Sequence, residues 1–149
     1  MTNERQKLER RLLGKLSRLG NKALDDPAVL QSVHLLSLEL METFVLRLIE
    51  KTSLPSPWPA ESMHQVQDDL LSLIALAQEQ GHSGLGIMAQ RFQAHIHWMQ
   101  VNGLQDPQDS ELASKTAQDL MRMLHELAVG IIKPPNAQLL SALRSPNSL

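Results

Sequence analysis

The stretch DPAVLQSVHLLSLELMETFVLRLIEK, residues 26–51, decides the fold class. Asp26 can accept a hydrogen bond from a free backbone N–H at a helix start, and Pro27 gives up a donor that has no partner there. From this start the sequence predicts a helix to about Lys51, which is about 37 Å long at ~1.5 Å per residue. A compact chain of 149 residues has a radius of gyration of only about 15 Å, so this helix must cross the whole domain.

Apolar side chains cover more than roughly 200° of the arc of this helix, which leaves one narrow polar strip. The strip carries Ser32, Glu39, Thr43 and Glu50. A helix that is apolar almost all round is typical of the buried centre of a bundle, so we expect this position for it. The residues expected to be nearly inaccessible, here and on other helices, are Leu36, Leu40, Phe44, Leu70, Phe92, Ile96, Leu120 and Leu124.

The composition agrees with an all-α class. Leucine alone supplies 28 of the 149 residues, whereas Val, Ile, Thr, Phe, Trp and Tyr together supply 20. These six residue types pack best on a pleated sheet, and no segment alternates apolar and polar residues for long. The length suits one domain that buries roughly 68–70% of the surface of the unfolded chain.

Proline, glycine and capping residues divide the chain into six predicted helices. The first runs from about Asn3 to Leu19, and the second is quoted above. The connector Leu54–Pro59 precedes the third, which runs from about Pro59 to Gln80. The fourth runs from Ser83 to about Val101, the fifth from Asp106-Pro107 to about Lys133, and a short sixth from Asn136 to Arg144. We therefore predict that residues 1–144 form a single-domain, mostly antiparallel helical bundle of five long helices plus a short C-terminal helix. Residues 145–149 are expected to be a disordered tail.

The first predicted helix, within residues 1–22, carries a row of cations beside a row of leucines. This basic stripe consists of Lys7, Arg11, Lys15, Arg18 and Lys22. Residues 1–22 have net charge +5 and the remaining residues −7, which gives the total of −2. The leucines can dock on the body of the domain while the cations face water or the acidic strip of the second helix. An ordered cation row also fits nucleic-acid phosphates, an anionic membrane surface or an acidic protein partner.

The fourth predicted helix has two apolar faces. One consists of Leu85, Met88, Phe92, Ile96 and Met99, and it reads as core. The opposite side, which we name the Trp98 face, consists of Ile87, Arg91, Ala94, Trp98 and Val101. Either other helices sandwich this helix, or the Trp98 face binds a partner or a second copy of the chain. Trp and Met are enriched at protein interfaces.

The sequences that resemble catalytic or metal motifs fail on spacing. The stretch Gly81–Gly86 lacks the Lys-Ser/Thr pair of a phosphate-binding loop, and Val129 stands where His125-Glu126 would need a second histidine. Two Glu-x-x-His motifs, at residues 61–64 and 79–82, belong to one helix about 27 Å apart and cannot build one site. The chain has no cysteine. We therefore expect no catalytic residues, no cofactor site and no metal site.

By elimination, the sequence favours a non-catalytic, cytoplasmic protein-interaction module: a small regulator, adaptor or dedicated chaperone that offers apolar helix faces to a protein partner or to itself as a homodimer. No small-molecule substrate is inferred. No apolar run approaches the ~18–20 residues of a membrane span, and the charged N-terminus is unlike a signal peptide. The alternative is a nucleic-acid-binding regulator that uses the basic stripe.

Overall fold

The computed structural model describes residue 10, residues 27–102 and residues 106–144. The two long ranges fold into five helices: α1 (Pro27–Thr52), α2 (Ala60–Glu79), α3 (Ser83–Asn102), α4 (Pro107–Ala128) and α5 (Ala137–Ala142). This described part contains helices and no strand, which confirms the all-α class. None of its helices has the length and apolarity needed to cross a membrane. The basic stripe and the predicted tail, residues 145–149, lie outside it.

Four long helices pack in a closed ring around the core. α1 contacts α2 and α4, and α3 contacts the same two helices from the other side, while α5 contacts α4. Seven of the eight expected core residues are buried: Leu40, Phe44, Leu70, Phe92, Ile96, Leu120 and Leu124. The amphipathic pattern of each helix therefore identified its inward side correctly at these positions.

The expectation for Leu36 was wrong, and so was the expectation that α1 is buried almost all round. Leu36 is only partly buried at the edge of the core, while Leu35 and Leu46 are exposed. The buried arc of α1 is centred between Phe44 and Met41, and Leu36 lies roughly 100° from that centre. Among the described helices only α2 and α4 pack against α1, so its remaining side faces outward.

Polar side chains join neighbouring helices at the edge of the core. The Arg47 guanidinium donates to the Asp69 carboxylate at 2.6 Å, which links α1 to α2 in a largely buried position. Gln67 of α2 donates to Gln100 at 3.1 Å and accepts from Gln93 at 2.9 Å. Directional bonds of this kind require one relative position of the helices, so they help to set how α2 lies against both neighbours.

The proline-bearing connector between α1 and α2 is non-helical, as the sequence predicts. Its Trp58 is buried against the core, and the indole Nε1–H donates to the Leu54 carbonyl oxygen at 2.9 Å. The Ser56–Pro57 peptide bond is cis. Trp58 thus anchors the connector and also satisfies the one polar atom that it brings into the interior.

Three of the predicted helix boundaries rest on the local chemistry expected of them. Asp106 caps α4 by accepting from the Gln108 N–H at 2.9 Å. Asn136 caps α5 by accepting from the N–H groups of Gln138 and Leu139 at 2.9 and 3.2 Å. Gly81 follows α2 with φ of +76°, a backbone conformation that favours glycine.

The end of α4 differs from the prediction, because the helix stops at Ala128 rather than near Lys133. Gly130 adopts φ of +83°, and the Ile131 N–H turns back to the Glu126 carbonyl oxygen at 2.8 Å. This is the left-handed glycine cap that commonly ends helices. Gly130 therefore ends the helix before the chain reaches Pro134-Pro135, the proline pair that follows Lys133.

Candidate functional site

The structure covers the middle of the Trp98 face and leaves its two ends exposed. Ile87 and Val101, at the ends, are exposed, while Arg91, Ala94 and Trp98 between them are partly buried. The cover is residues 133–144, which we name the C-terminal segment. The C-terminal segment therefore packs on part of the second apolar face of α3. Whether this face binds a partner stays a prediction.

The C-terminal segment runs alongside α3, from the start of that helix toward its end. A β-carbon at Gly84 would lie 3.4 Å from the Lys133 carbonyl oxygen, so the backbones approach closely there. Farther along, the Arg91 guanidinium donates to the Leu140 carbonyl oxygen at 2.9 Å. At the far end the Arg144 N–H donates to Nδ1 of His95 at 3.2 Å. These three contacts place the segment beside α3 over most of the helix.

His95, Asp109, Arg144 and Trp98 form one polar cluster at the end of the C-terminal segment. The Arg144 guanidinium donates through Nε to the Asp109 carboxylate at 3.0 Å. Its central carbon, Cζ, lies 4.0 Å from the centre of the Trp98 ring. Nε2 of His95 lies 3.0 Å from the Asp109 carbonyl oxygen. Asp109 is available at this point because the Asp106 cap starts α4 one turn earlier. The cluster therefore ties together α3, α4 and the C-terminal segment.

His95 is fully buried in its neutral form. Because Nδ1 accepts from the Arg144 N–H, the ring proton sits on Nε2 and is donated to the Asp109 carbonyl. Burial lowers the pKa of His95, and the Arg144 charge acts in the same direction, whereas the Asp109 bond and charge oppose them. Both ring nitrogens are engaged within the protein, so His95 serves as a structural fastener.

The turn at Gly130 displays the largest run of exposed apolar side chains in the described ranges. We name residues 129–132 the apolar loop. Ile132 is 86% exposed and Val129 72%, and Ile131 is exposed as well. Large apolar side chains scattered singly are normal on a surface, but a contiguous group marks an interaction site or an aggregation liability.

A small pocket adjoins the apolar loop where α3 begins and α4 ends. Its volume is about 80 Å³, and its apolar lining includes Leu85, Met123 and Leu127 together with Ile131 and Ile132 of the loop. Small-molecule sites are typically about 300–1,000 Å³, so this pocket holds the tip of one side chain rather than a cofactor. Lys133 and Glu126 lie on its rim, with the ammonium group 3.5 Å from the carboxylate.

His82 also borders this pocket and faces His34 of α1. The two ring centroids are 5.6 Å apart with an interplanar angle of 58°. Burial lowers the pKa of His82, and the proximity of His34 lowers it further. At neutral pH this edge of the pocket is therefore uncharged, which suits an apolar occupant.

The metal-like motifs do not come together. Glu61 and His64 lie exposed at the start of α2, and Glu79 and His82 lie at its other end. Within residues 27–102 and 106–144, no three side chains of the metal-binding types form a group that could hold an ion. Comparison with family models, with curated proteins and with solved structures finds no match for this chain.

Sequence reasoning missed the His95 cluster, although one signal was present. His95 lies about 60° from Phe92 on the helix wheel and so belongs to the apolar side of α3, close to Ile96. A polar side chain in a core position needs a buried hydrogen-bond partner. The partner of His95, Arg144, is 49 residues away along the chain, and no local sequence pattern predicts this contact.

Proposed function

We propose that the chain is a non-catalytic protein-interaction module, a small regulator, adaptor or dedicated chaperone, and that its partner binds at the apolar loop. The observation that carries the proposal is the exposure of Val129, Ile131 and Ile132 beside a pocket of side-chain size. A partner that inserts one apolar side chain there would bury the loop as well. Interfaces depend on such central apolar anchors more than on their polar rims.

The chemistry around the loop supports a protein ligand over a small molecule. The pocket is too small for a cofactor, and the His82 ring at its edge is neutral at pH 7. The Lys133–Glu126 pair supplies one polar contact point at the rim. An apolar centre with a charged edge is the usual composition of a protein interface.

Three further parts of the proposal rest on the sequence. They are a cytoplasmic location, association of the chain with itself, and a mostly antiparallel bundle in which the first predicted helix is the fifth long helix. For self-association the sequence indicates the Trp98 face, and the apolar loop is a second surface for contact with another copy. The basic stripe stays the alternative site, for a nucleic-acid ligand.

The test compares two substitutions that each place a charge at an exposed apolar position. Ile132→Asp disrupts the apolar loop, and Leu71→Asp on α2 is its control, since Leu71 is 54% exposed and belongs to neither the apolar loop nor the Trp98 face. Each chain, including the parent, is used as bait, and captured proteins are quantified by mass spectrometry. Sedimentation velocity of each purified chain measures self-association.

The proposal predicts that the parent and the Leu71→Asp chain capture the same partner or form the same dimer, and that Ile132→Asp loses it. Equal capture and equal sedimentation for all three chains would contradict it. Both substitutions are at exposed positions, where changes typically alter stability by less than about 0.5 kcal/mol. Loss of binding therefore reports on the surface, provided that the helical circular dichroism is unchanged.

A further inference from the structure

The C-terminal segment is anchored chiefly at its last two described residues. α5 itself contains no buried residue, whereas Leu143, directly after it, is 2% exposed and belongs to the core. Arg144 then contacts His95 through its backbone and Asp109 and Trp98 through its side chain. The rest of α5 is held by the Arg91–Leu140 hydrogen bond and by Leu139 and Leu140, which are only partly buried against the core. A short terminal helix with one fully buried anchor can open without unfolding the four long helices.

One of these anchors requires an uncharged imidazole. The Arg144 N–H donates to Nδ1 of His95, and Nε2–H donates to the Asp109 carbonyl oxygen. Protonation of the neutral ring adds a proton at Nδ1, so the ring would then present an N–H donor to the Arg144 N–H donor. The hydrogen bond is then lost, and the new positive charge lies near the Arg144 guanidinium.

The surroundings of the ring favour the neutral form. Asp109 of α4 is the acidic neighbour, and the Arg144 guanidinium already engages its carboxylate at 3.0 Å. From α2, the uncharged Gln67 bonds to Gln93 and Gln100 of α3. Burial lowers the pKa of His95 from its ordinary value of 6.5. When the segment opens, Nδ1 gains access to water and the ring recovers its basicity.

We propose that the C-terminal segment is an acid-released cover: protonation of His95 frees residues 137–144 from α3 and exposes the Trp98 face, while α1 to α4 remain folded. The uncovered surface includes the indole of Trp98 and an Arg91 guanidinium that has lost the Leu140 carbonyl. An apolar surface with one free cation fits an apolar protein segment that carries a carboxylate. This inference concerns a different surface from the apolar loop and does not depend on the proposed function.

Proton binding to His95 is linked to release of the C-terminal segment, and this linkage sets the direction and the steepness of the pH dependence of release. The closed state holds His95 neutral and the open state binds a proton, so closure is fully favoured above pH 6.5 and weakens as pH falls through the lowered pKa. One linked proton changes the ratio of open to closed chains by at most about tenfold per pH unit.

The experiment uses the full chain with a nitroxide spin label on Ser141→Cys. Ser141 is an exposed residue of α5, and the chain has no native cysteine, so labelling is specific. The mobility of the label is read by electron paramagnetic resonance from pH 7.5 to pH 5. The proposal predicts an immobilised label at pH 7.5 and a mobile fraction that grows by up to tenfold per pH unit below about 6.5. Helical circular dichroism is expected to persist over this range.

His95→Gln is the non-titrating variant, and His97→Gln, at an exposed position on the same helix, is the matched control. The mobile fraction of the His97→Gln chain should follow the parent, and that of His95→Gln should not change with pH. Three results would overturn the proposal: a label whose mobility does not depend on pH, an unchanged response in His95→Gln, or loss of helical signal at the same pH as label release.

A second measurement needs no substitution at His95 and so does not depend on that variant folding. The ¹⁵N shifts of the ring nitrogens of the parent chain report which one carries the proton. At pH 7.5 the His95 ring must show a proton on Nε2 and none on Nδ1. A proton on Nδ1 in the folded chain would overturn the proposal, since the Arg144 N–H would then have no acceptor there.

Discussion

Truncating Leu40 and Leu143 to alanine should have different effects, although both leucines are buried. Leu40 is fully inaccessible in the middle of α1, and Leu143 is 2% exposed at the end of the C-terminal segment. A buried Leu→Ala substitution typically costs about 2–5 kcal/mol, made up of lost transfer free energy and the cavity that remains. For Leu40 the surrounding ring of helices cannot close the cavity, so we expect this whole cost in the free energy of global unfolding.

For Leu143 the same loss acts on local opening, because the C-terminal segment can leave while the ring stays folded. A cost of about 2–3 kcal/mol corresponds to a roughly 30- to 150-fold larger open population of the segment. Urea unfolding monitored by circular dichroism measures the global term. Hydrogen exchange at the Leu140 and Leu143 amides, which donate to Asn136 and Leu139 at 3.0 and 2.9 Å, measures the local term.

Leu40→Ala should therefore lower the urea midpoint strongly. Leu143→Ala should accelerate exchange at residues 140 and 143 by one to two orders of magnitude, with a small change in the midpoint. If Leu143→Ala lowers the midpoint as much as Leu40→Ala and leaves local exchange tied to global unfolding, the C-terminal segment belongs to one cooperative unit with the ring. The reasoning about separate opening would then be refuted.

Three further predictions concern titration, charge and metals. Since burial and His34 lower the pKa of His82, the free energy of unfolding should fall as pH drops below 6.5. Urea unfolding at several pH values should show a smaller dependence in His82→Gln, while the part that comes from the buried His95 remains. The basic stripe should leave duplex DNA unbound at moderate salt; five phosphate contacts would instead give a log–log salt slope of about −4.5, and any slope steeper than about −3 would make the stripe the functional site. A ligand that binds only the folded state raises the melting temperature. Because we expect no metal site, micromolar zinc should leave the melting temperature unchanged. A rise of several degrees would contradict the rejection of the Glu-x-x-His motifs.

The sequence predicted what depends on neighbours along the chain. Asp106 and Asn136 cap their helices because a side-chain oxygen two or three residues from free N–H groups reaches them wherever the fold places the helix. The inward sides of the helices followed from apolar spacing in the same way. Gly130 is an equally local signal, and it explains why α4 ends before the predicted boundary near Lys133.

What the sequence did not predict depends on contacts between distant segments. The extent of burial on α1 depends on how many helices surround it, so Leu36 could not be placed by its own helix wheel. The cover on Trp98 comes from Arg144, 46 positions along the chain, and the role of His95 comes from the same residue. The apolar loop was assigned to a continuous helix, where its exposed side chains had no special meaning.

Photocrosslinking in cells shows whether a protein partner binds at the apolar loop. A benzophenone amino acid is placed at Ile132 in one chain and at Leu71 in another, both at exposed positions. We expect a discrete covalent protein adduct, with a partner or with a second copy, from position 132 and none from position 71. No adduct from position 132, or the same adducts from both positions, would contradict this proposal.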